Sequence, residues 1–129
     1  MNLLIATTLF SFFTSSPNKL APAAESWEGK HFKQGQTARC ADFVGTVVKS
    51  VGKQPPSGYQ KCTSWLGWGS KISLDKIQKG DIVIYSKSGG YNHIGIYVGD
   101  GQIIHRPTRS KTVRKINYKY RSIIGVRRA

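Results

Sequence analysis

Between residues 40 and 51 the apolar side chains fall three or four positions apart: Cys40, Phe43, Val44, Val47, Val48 and Val51. That spacing places one buried stripe on a helix. Thr37 stands where a capping hydroxyl belongs, and Gly52 stands where a helix stops. Valine is a mediocre helix former, so this helix is expected to owe its stability to packing. From residue 80 the period changes to two and β-branched residues dominate. The strands expected are 81–85, 93–98, 102–106, 112–116 and 122–127. Lys87-Ser88-Gly89-Gly90, Gly99-Asp100-Gly101 and 107–111 separate them as turns. A helix followed by consecutive short strands predicts an α+β domain, with the helix packed on five to six antiparallel strands.

Residues 53–71 have neither period. They carry Pro55-Pro56, Gly58, Gly67 and Gly69, and the aromatics Tyr59, Trp65 and Trp68. Two readings stand: the aromatics pin the loop to the core, or Tyr59 and Trp65 line a groove and touch substrate.

Register on the 93–105 hairpin decides whether its two histidines meet. With Asp100-Gly101 alone as the loop, Ile96 faces His105, and His93 lies on the opposite side. With Gly99, Asp100 and Gly101 as a three-residue loop, Val98 faces Gln102 and Gly95 faces His105. His93 then shares a face with His105 and sits diagonal to it, within side-chain reach. Gly95 leaves room for the rings, and Ile94, Ile96, Val98 and Ile104 fall together on the other face as a core surface. The register that groups the histidines also groups the aliphatics.

Cys40 at a helix N-terminus and His93 with His105 on a strand pair supply a thiol nucleophile, a base and a group to orient the base. A thiol attacks as the thiolate, and free N–H groups at a helix start stabilise that anion. An imidazole lowers the thiol pKa and returns the proton to the leaving amine. The Cys40 N–H can hold the oxyanion, and His105 can fix the tautomer of His93. One cysteine and two histidines also suit zinc, but no compact ligand pair such as C-x-x-C is present, so neither metal nor cofactor is expected. His31 reads as a surface histidine. Cys62 is the other of the two cysteines. An exported chain can join two cysteines as a disulfide, whereas a nucleophilic Cys40 must be free and leaves Cys62 a bystander.

The chain has 129 residues, enough for one domain. Residues 3–13 form its longest apolar run, too short for the roughly 18–20 residues of a membrane span. With Thr14-Ser15-Ser16-Pro17 and Ala21-Pro22-Ala23-Ala24 after it, the run resembles the core of a secretory signal that lacks the usual basic start. Residues 1–26 are therefore expected to be a signal or leader, and 27–129 the folded domain. The expected location is outside the cytoplasm: periplasm, cell wall or medium, with phage-encoded or injected delivery also compatible.

The segments Cys40-Ala41-Asp42-Phe43-Val44, Leu74 to Val83, His93 to Gly101, Ile103-Ile104-His105 and Ile124-Gly125-Val126-Arg127-Arg128 occur in an order and spacing that resemble the NlpC/P60 family, papain-like cysteine peptidases of bacterial cell walls. The resemblance implies Cys40 as nucleophile, His93 as base and His105 as the third polar residue. It implies hydrolysis of peptidoglycan stem peptides, commonly from γ-D-glutamate to diaminopimelate. That family usually shows Asp-Cys-Ser-Gly where this chain has Arg39-Cys40-Ala41-Asp42. Arg39 favours the thiolate and suits a substrate carboxylate, while Asp42 is a displaced substitute for the lost acid. Phe32-Lys33-Gln34-Gly35 also departs from the usual aromatic-glycine segment.

The formal net charge is +14. Arg106, Arg109, Lys111, Arg114, Lys115, Lys119, Arg121, Arg127 and Arg128 crowd the last quarter of the chain. Such a field attracts polyanions and is screened by salt. With residues 1–26 too few for a wall-binding module, charge is expected to bring the protein to peptidoglycan or another anionic wall polymer, as a monomer. Two alternatives remain at this level. One is an amidase or acyl-transfer enzyme of the same fold on a non-wall amide. The other is a nonenzymatic basic module that binds nucleic acid by stacking on Tyr118 and Tyr120.

Overall fold

A computed structural model describes residues 19–32 and 39–129, with the Arg39 side chain outside the described part. Among the described residues two α-helices, α1 (Leu20–Glu25) and α2 (Arg39–Ser50), precede six strands. These are β1 (Ser70–Lys71), β2 (Ile82–Ser88), β3 (Tyr91–Gly99), β4 (Gln102–His105), β5 (Arg114–Asn117) and β6 (Ile123–Arg128). Together they form one antiparallel sheet in the order β1-β6-β2-β3-β4-β5. The expected α+β architecture is present. The two-residue β1 was not legible as a strand, because so short a segment has no measurable period; its pairing with Arg127 and Arg128 makes it one.

The stripe on α2 is buried as its spacing requires: Cys40, Phe43, Val44, Val47 and Val48 are all in the core, and Val51 is half-buried. The helix ends where Gly52 adopts a φ of 80°, a left-handed conformation that suits glycine. Thr37, expected as its cap, lies outside the described residues. Ile94, Ile96, Val98 and Ile104 meet this helix in the main cluster. On the opposite sheet face Val83, Tyr85 and Ile103 form a smaller cluster covered by Ile77, Tyr97, Ile116, Tyr118 and Ile123. Trp27, Phe32 and Phe43 pack edge to face in a trio, with centroids 5.6, 5.9 and 5.5 Å apart.

The β3–β4 hairpin combines features of both registers the sequence allows. Its loop is two residues, Asp100 and Gly101, with φ of 54° and 72°, the signature of a type I′ turn. Gly99, not Val98, therefore pairs with Gln102. A register shift between Tyr97 and Gly99 then inserts one residue. Beyond it Tyr97 faces Ile103 and Ile96 faces Ile104, the register expected of the longer loop. The bulge lets a tight turn coexist with two histidines on one face. Gly95 serves a different purpose from the one expected. A Cβ there would lie 2.6 Å from Ile103 Cδ1 and 3.2 Å from the Ile104 carbonyl oxygen, so glycine admits β4 itself.

Asp81, nearly fully buried at the head of β2, accepts Arg128 Nε and Nη2 at 2.8 and 2.9 Å and the Gln78 N–H at 2.9 Å. This two-pronged pair anchors β6 to β2. Arg106 is buried, with Nε donating to the Phe32 carbonyl at 3.1 Å, and Arg127 Nε donates to the Leu66 carbonyl at 2.8 Å. Arg106, Arg127 and Arg128 therefore brace the fold, and they do not all belong to the free basic face the sequence suggested.

Helix α1 falls within the stretch read as a leader. Its Leu20, Ala21 and Ala24 are buried in the main cluster. Residues 1–18, which include the apolar run, lie outside the described residues. Truncating Leu20 to alanine is expected to destabilise the protein by roughly 2–4 kcal/mol, the usual range for a buried leucine. Urea unfolding measures this as a lower midpoint at unchanged slope. An unchanged midpoint would show that α1 contributes nothing to the folded unit.

Candidate active site

Cys40 lies in the first turn of α2, His93 on β3 and His105 at the end of β4. All three are buried. His93 Nε2 and His105 Nδ1 are 2.7 Å apart, with the rings perpendicular and their centroids 4.9 Å apart. Burial, the charge of His93 and the nearby Arg114 lower the His105 pKa from 6.5 to about 3. His105 is thus neutral at physiological pH. One proton is shared between these two nitrogens. His93 Nδ1 is buried and makes no regular hydrogen bond among the described residues. It is the nitrogen left to exchange a proton with a nucleophile.

Cys40 Sγ lies 3.5 Å from Cys62 Sγ. The Cys40 thiol is held well below the ordinary thiol range. The hydrogen bond with Cys62 is the largest cause, His93 adds both hydrogen bonding and charge, the Ala41 backbone contributes, and burial opposes. Cys62 is pushed up by the same contact and by burial. Within the pair, Cys40 is the thiolate and Cys62 keeps its proton. The sulfur contact seen in the structure is with Cys62, and His93 adds its favourable charge beside it.

The sequence missed two neighbours. Cys62, read as a bystander, begins the short 3-10 segment Cys62–Gly67 and meets Cys40 directly. Tyr120, read only as a stacking residue for nucleic acid, packs its ring against His93 at 6.3 Å, His105 at 5.9 Å and Tyr85 at 5.2 Å. It remains partly exposed, so it walls the histidine pair toward solvent. Its loop is tied to the β2–β3 turn, since Arg121 Nη2 donates to the carbonyls of Ser88 and Tyr91. No local pattern in the chain links residue 120 to 93 and 105; only the return of β6 beside β2 brings its loop here.

The other expected site residues divide. Asp42 is buried in the first turn of α2. Arg39 opens that helix, with its side chain outside the described part. Trp65 is fully buried, with Nε1 donating to the Tyr59 carbonyl at 2.9 Å and its ring on Trp68 at 5.0 Å. Tyr59 packs against Gly45 and receives a hydrogen bond from Lys49 Nζ at 2.9 Å, further along α2 than Cys40. Of the two readings of this loop, the packing around Trp65 matches the pinned one. His31 is exposed, paired only as an isolated bridge to Thr112.

The neutral state of His105 has a thermodynamic consequence. Its folded pKa, about 3, lies below the roughly 6.5 of an unfolded histidine. As pH falls from 6.5 toward 3 the unfolded chain binds a proton that the folded chain refuses. This residue is therefore expected to remove up to about 5 kcal/mol of stability across that window. Urea titrations at pH 7 and pH 4 measure it. His105→Asn should show a shallower fall, and an equal fall would show that His105 is not held neutral.

The chain matches the NlpC/P60 family model over residues 26–127. It is 32% identical over 82 residues to the gamma-D-glutamyl-L-lysine dipeptidyl-peptidase of Bacillus cereus, a match covering 60% of this chain and 23% of that protein. It is 27% identical over 93 residues to the murein DD-endopeptidase MepS/murein LD-carboxypeptidase of Escherichia coli, covering 67% and 47%. The chain thus spans less than half the length of either relative. Its fold superposes on the P60 domain of an M. avium subspecies paratuberculosis antigen with a TM-score of 0.72 at 16% identity, covering 91% of this chain and 96% of that one. With a family match that runs through the helix, the sheet and every residue of the cysteine–histidine cluster, the chain belongs to the NlpC/P60 family.

Proposed function

We propose that this protein is a cysteine peptidase that hydrolyses an amide bond in the stem peptides of bacterial peptidoglycan. The observation that carries the reading is the buried 2.7 Å contact between His93 and a neutral His105 beside a cysteine whose pKa is lowered. Such an arrangement costs folding stability and suits thiol chemistry.

The steps follow from the geometry. The Cys40 thiolate attacks the scissile carbonyl carbon. The oxyanion forms at the N-terminal end of α2, where backbone N–H groups are unpaired in any helix. Protonated His93 gives its Nδ1 proton to the departing amine, leaving a thioester on Cys40. A water molecule then loses a proton to His93, attacks the thioester and releases the acid. His105 accepts from His93 Nε2 throughout, holding the ring and stabilising its cationic form. Tyr120 limits access of bulk water to the pair.

The relatives named above act on different bonds of the wall, so the bond cleaved is a finer question. Arg39 in place of the usual acid favours a substrate that offers a carboxylate near the nucleophile. Export fits a wall substrate.

The test is digestion of purified sacculi by the full-length protein, with soluble products identified by mass. Peptide fragments that depend on Cys40 are expected, and their masses name the bond. A protein whose Cys40 reacts with a thiol-directed probe but releases nothing from sacculi would instead favour a non-wall amide substrate.

A further inference from the structure

Beyond favouring the Cys40 thiolate, the Cys62 contact places a second thiol directly against the first. The two residues are 22 positions apart, come from separate elements and are both buried. They are the two cysteines of the chain, so neither has a competing partner. Each is held by rigid surroundings: Cys40 by α2, Cys62 by a segment whose Trp65 is fully buried. A disulfide needs its sulfurs about 2.05 Å apart, so closing the 3.5 Å gap takes a shift of about 1.5 Å.

We propose that Cys40 and Cys62 are an oxidation site: a small hydroperoxide converts them to a disulfide that blocks the nucleophile, and a dithiol restores it. The polarity of the pair suits the reaction. Cys40, the thiolate, attacks the peroxide, and Cys62, the retained thiol, resolves the product.

In the first step Cys40 sulfur attacks one oxygen of hydrogen peroxide and breaks the O–O bond. Cys40 becomes a sulfenic acid, and the other oxygen leaves as hydroxide, which takes up the proton lost by the Cys40 thiol to form water. In the second, the Cys62 sulfur attacks the sulfenic sulfur; hydroxide leaves and takes up the Cys62 proton as a second water. Two thiols have lost two electrons and two hydrogens, and the peroxide is reduced to two waters. A dithiol reverses this by attacking the bond and ending as its own disulfide. The neighbouring thiol captures the sulfenic acid before further oxidation destroys it.

The consequence is an enzyme stored inactive under oxidising conditions and released by reduction. This rests on Cys40 as nucleophile, but formation of the bond can be measured without any wall substrate. Full-length protein is treated with hydrogen peroxide, denatured in iodoacetamide and weighed intact. Wild type is expected to lose two hydrogens, take up no alkyl group and yield a digest fragment joining the Cys40 and Cys62 peptides. Dithiothreitol should restore two alkylatable thiols together with sacculus digestion. In Cys62→Ser, the same treatment should carry Cys40 to sulfinic acid, which dithiothreitol does not reverse.

The proposal is overturned if wild type retains a free Cys62 while its Cys40 reaches sulfinic acid as fast as in Cys62→Ser. It is also overturned if the disulfide forms without any loss of digestion. A disulfide that forms in a protein whose reduced form releases nothing from sacculi would support the oxidation site and remove the peptidase reading.

Discussion

Replacing Cys40 with alanine is expected to end peptide release from sacculi, with a loss of at least ~10⁴-fold, as for nucleophiles that act as a unit with their base. No other side chain in the cluster can form the acyl intermediate. Cys62 is adjacent, but it begins a separate segment, Cys62–Gly67, and does not stand at the N-terminus of α2. Removing one buried sulfur should cost about 1–2 kcal/mol of stability. The melting transition therefore separates lost chemistry from lost folding. Product release within tenfold of wild type, from a protein that still melts cooperatively, would exclude Cys40 as the nucleophile.

The second large effect is expected at His93. Alanine there removes a group that, with Cys62, lowers the Cys40 pKa and that protonates the leaving amine in the proposed mechanism. We expect a fall of roughly 10³–10⁴-fold in kcat/KM, in the range of general acid–base catalysis combined with loss of thiolate. A readout independent of turnover accompanies it. Because His93 favours the thiolate, His93→Ala should move the pH midpoint of Cys40 alkylation upward by an amount a merely structural histidine would not produce. His105 supplies the contrast, since in the proposed mechanism it accepts a bond from His93 Nε2, 2.7 Å away. Asparagine at 105 keeps an acceptor and should retain much more activity than leucine, which offers none. Equal activity in the two variants would show that the His93–His105 bond does no catalytic positioning.

Much of the fold was legible because the relevant physics is local or periodic. The stripe from Cys40 to Val48 reports burial directly, and the β-branched, turn-bounded runs at Ile82–Tyr85 and His93–Val98 mark strands, so helix and strands fell close to their observed places. The histidine pairing was reachable on paper because strand alternation has a period of two, and only one register put both rings on one face. The route to that register was not legible. A type I′ turn plus a bulge produces the same alignment as a three-residue loop, and residue spacing cannot tell them apart. The role of Gly95 was misread for a similar reason: the atoms that exclude a side chain there belong to Ile103 and Ile104 on the next strand.

Charge was the least legible feature. A sequence counts Arg106 and Arg128 as surface cations, yet one donates to a buried carbonyl and the other grips Asp81. Their partners are 74 and 47 residues away, beyond any local pattern. The aromatics at Tyr59 and Trp65 behave likewise, since burial of a loop depends on what it lies against.

By itself, then, the chain determined its elements, the face each presents and the three residue types needed for thiol chemistry, because periodic burial and reactive side chains are properties of short segments. Only the tertiary structure decided that Cys62 touches Cys40 and that Tyr120 stands against both histidines. Those contacts join segments distant along the chain, and their positions follow from how the sheet and the helices pack as a whole.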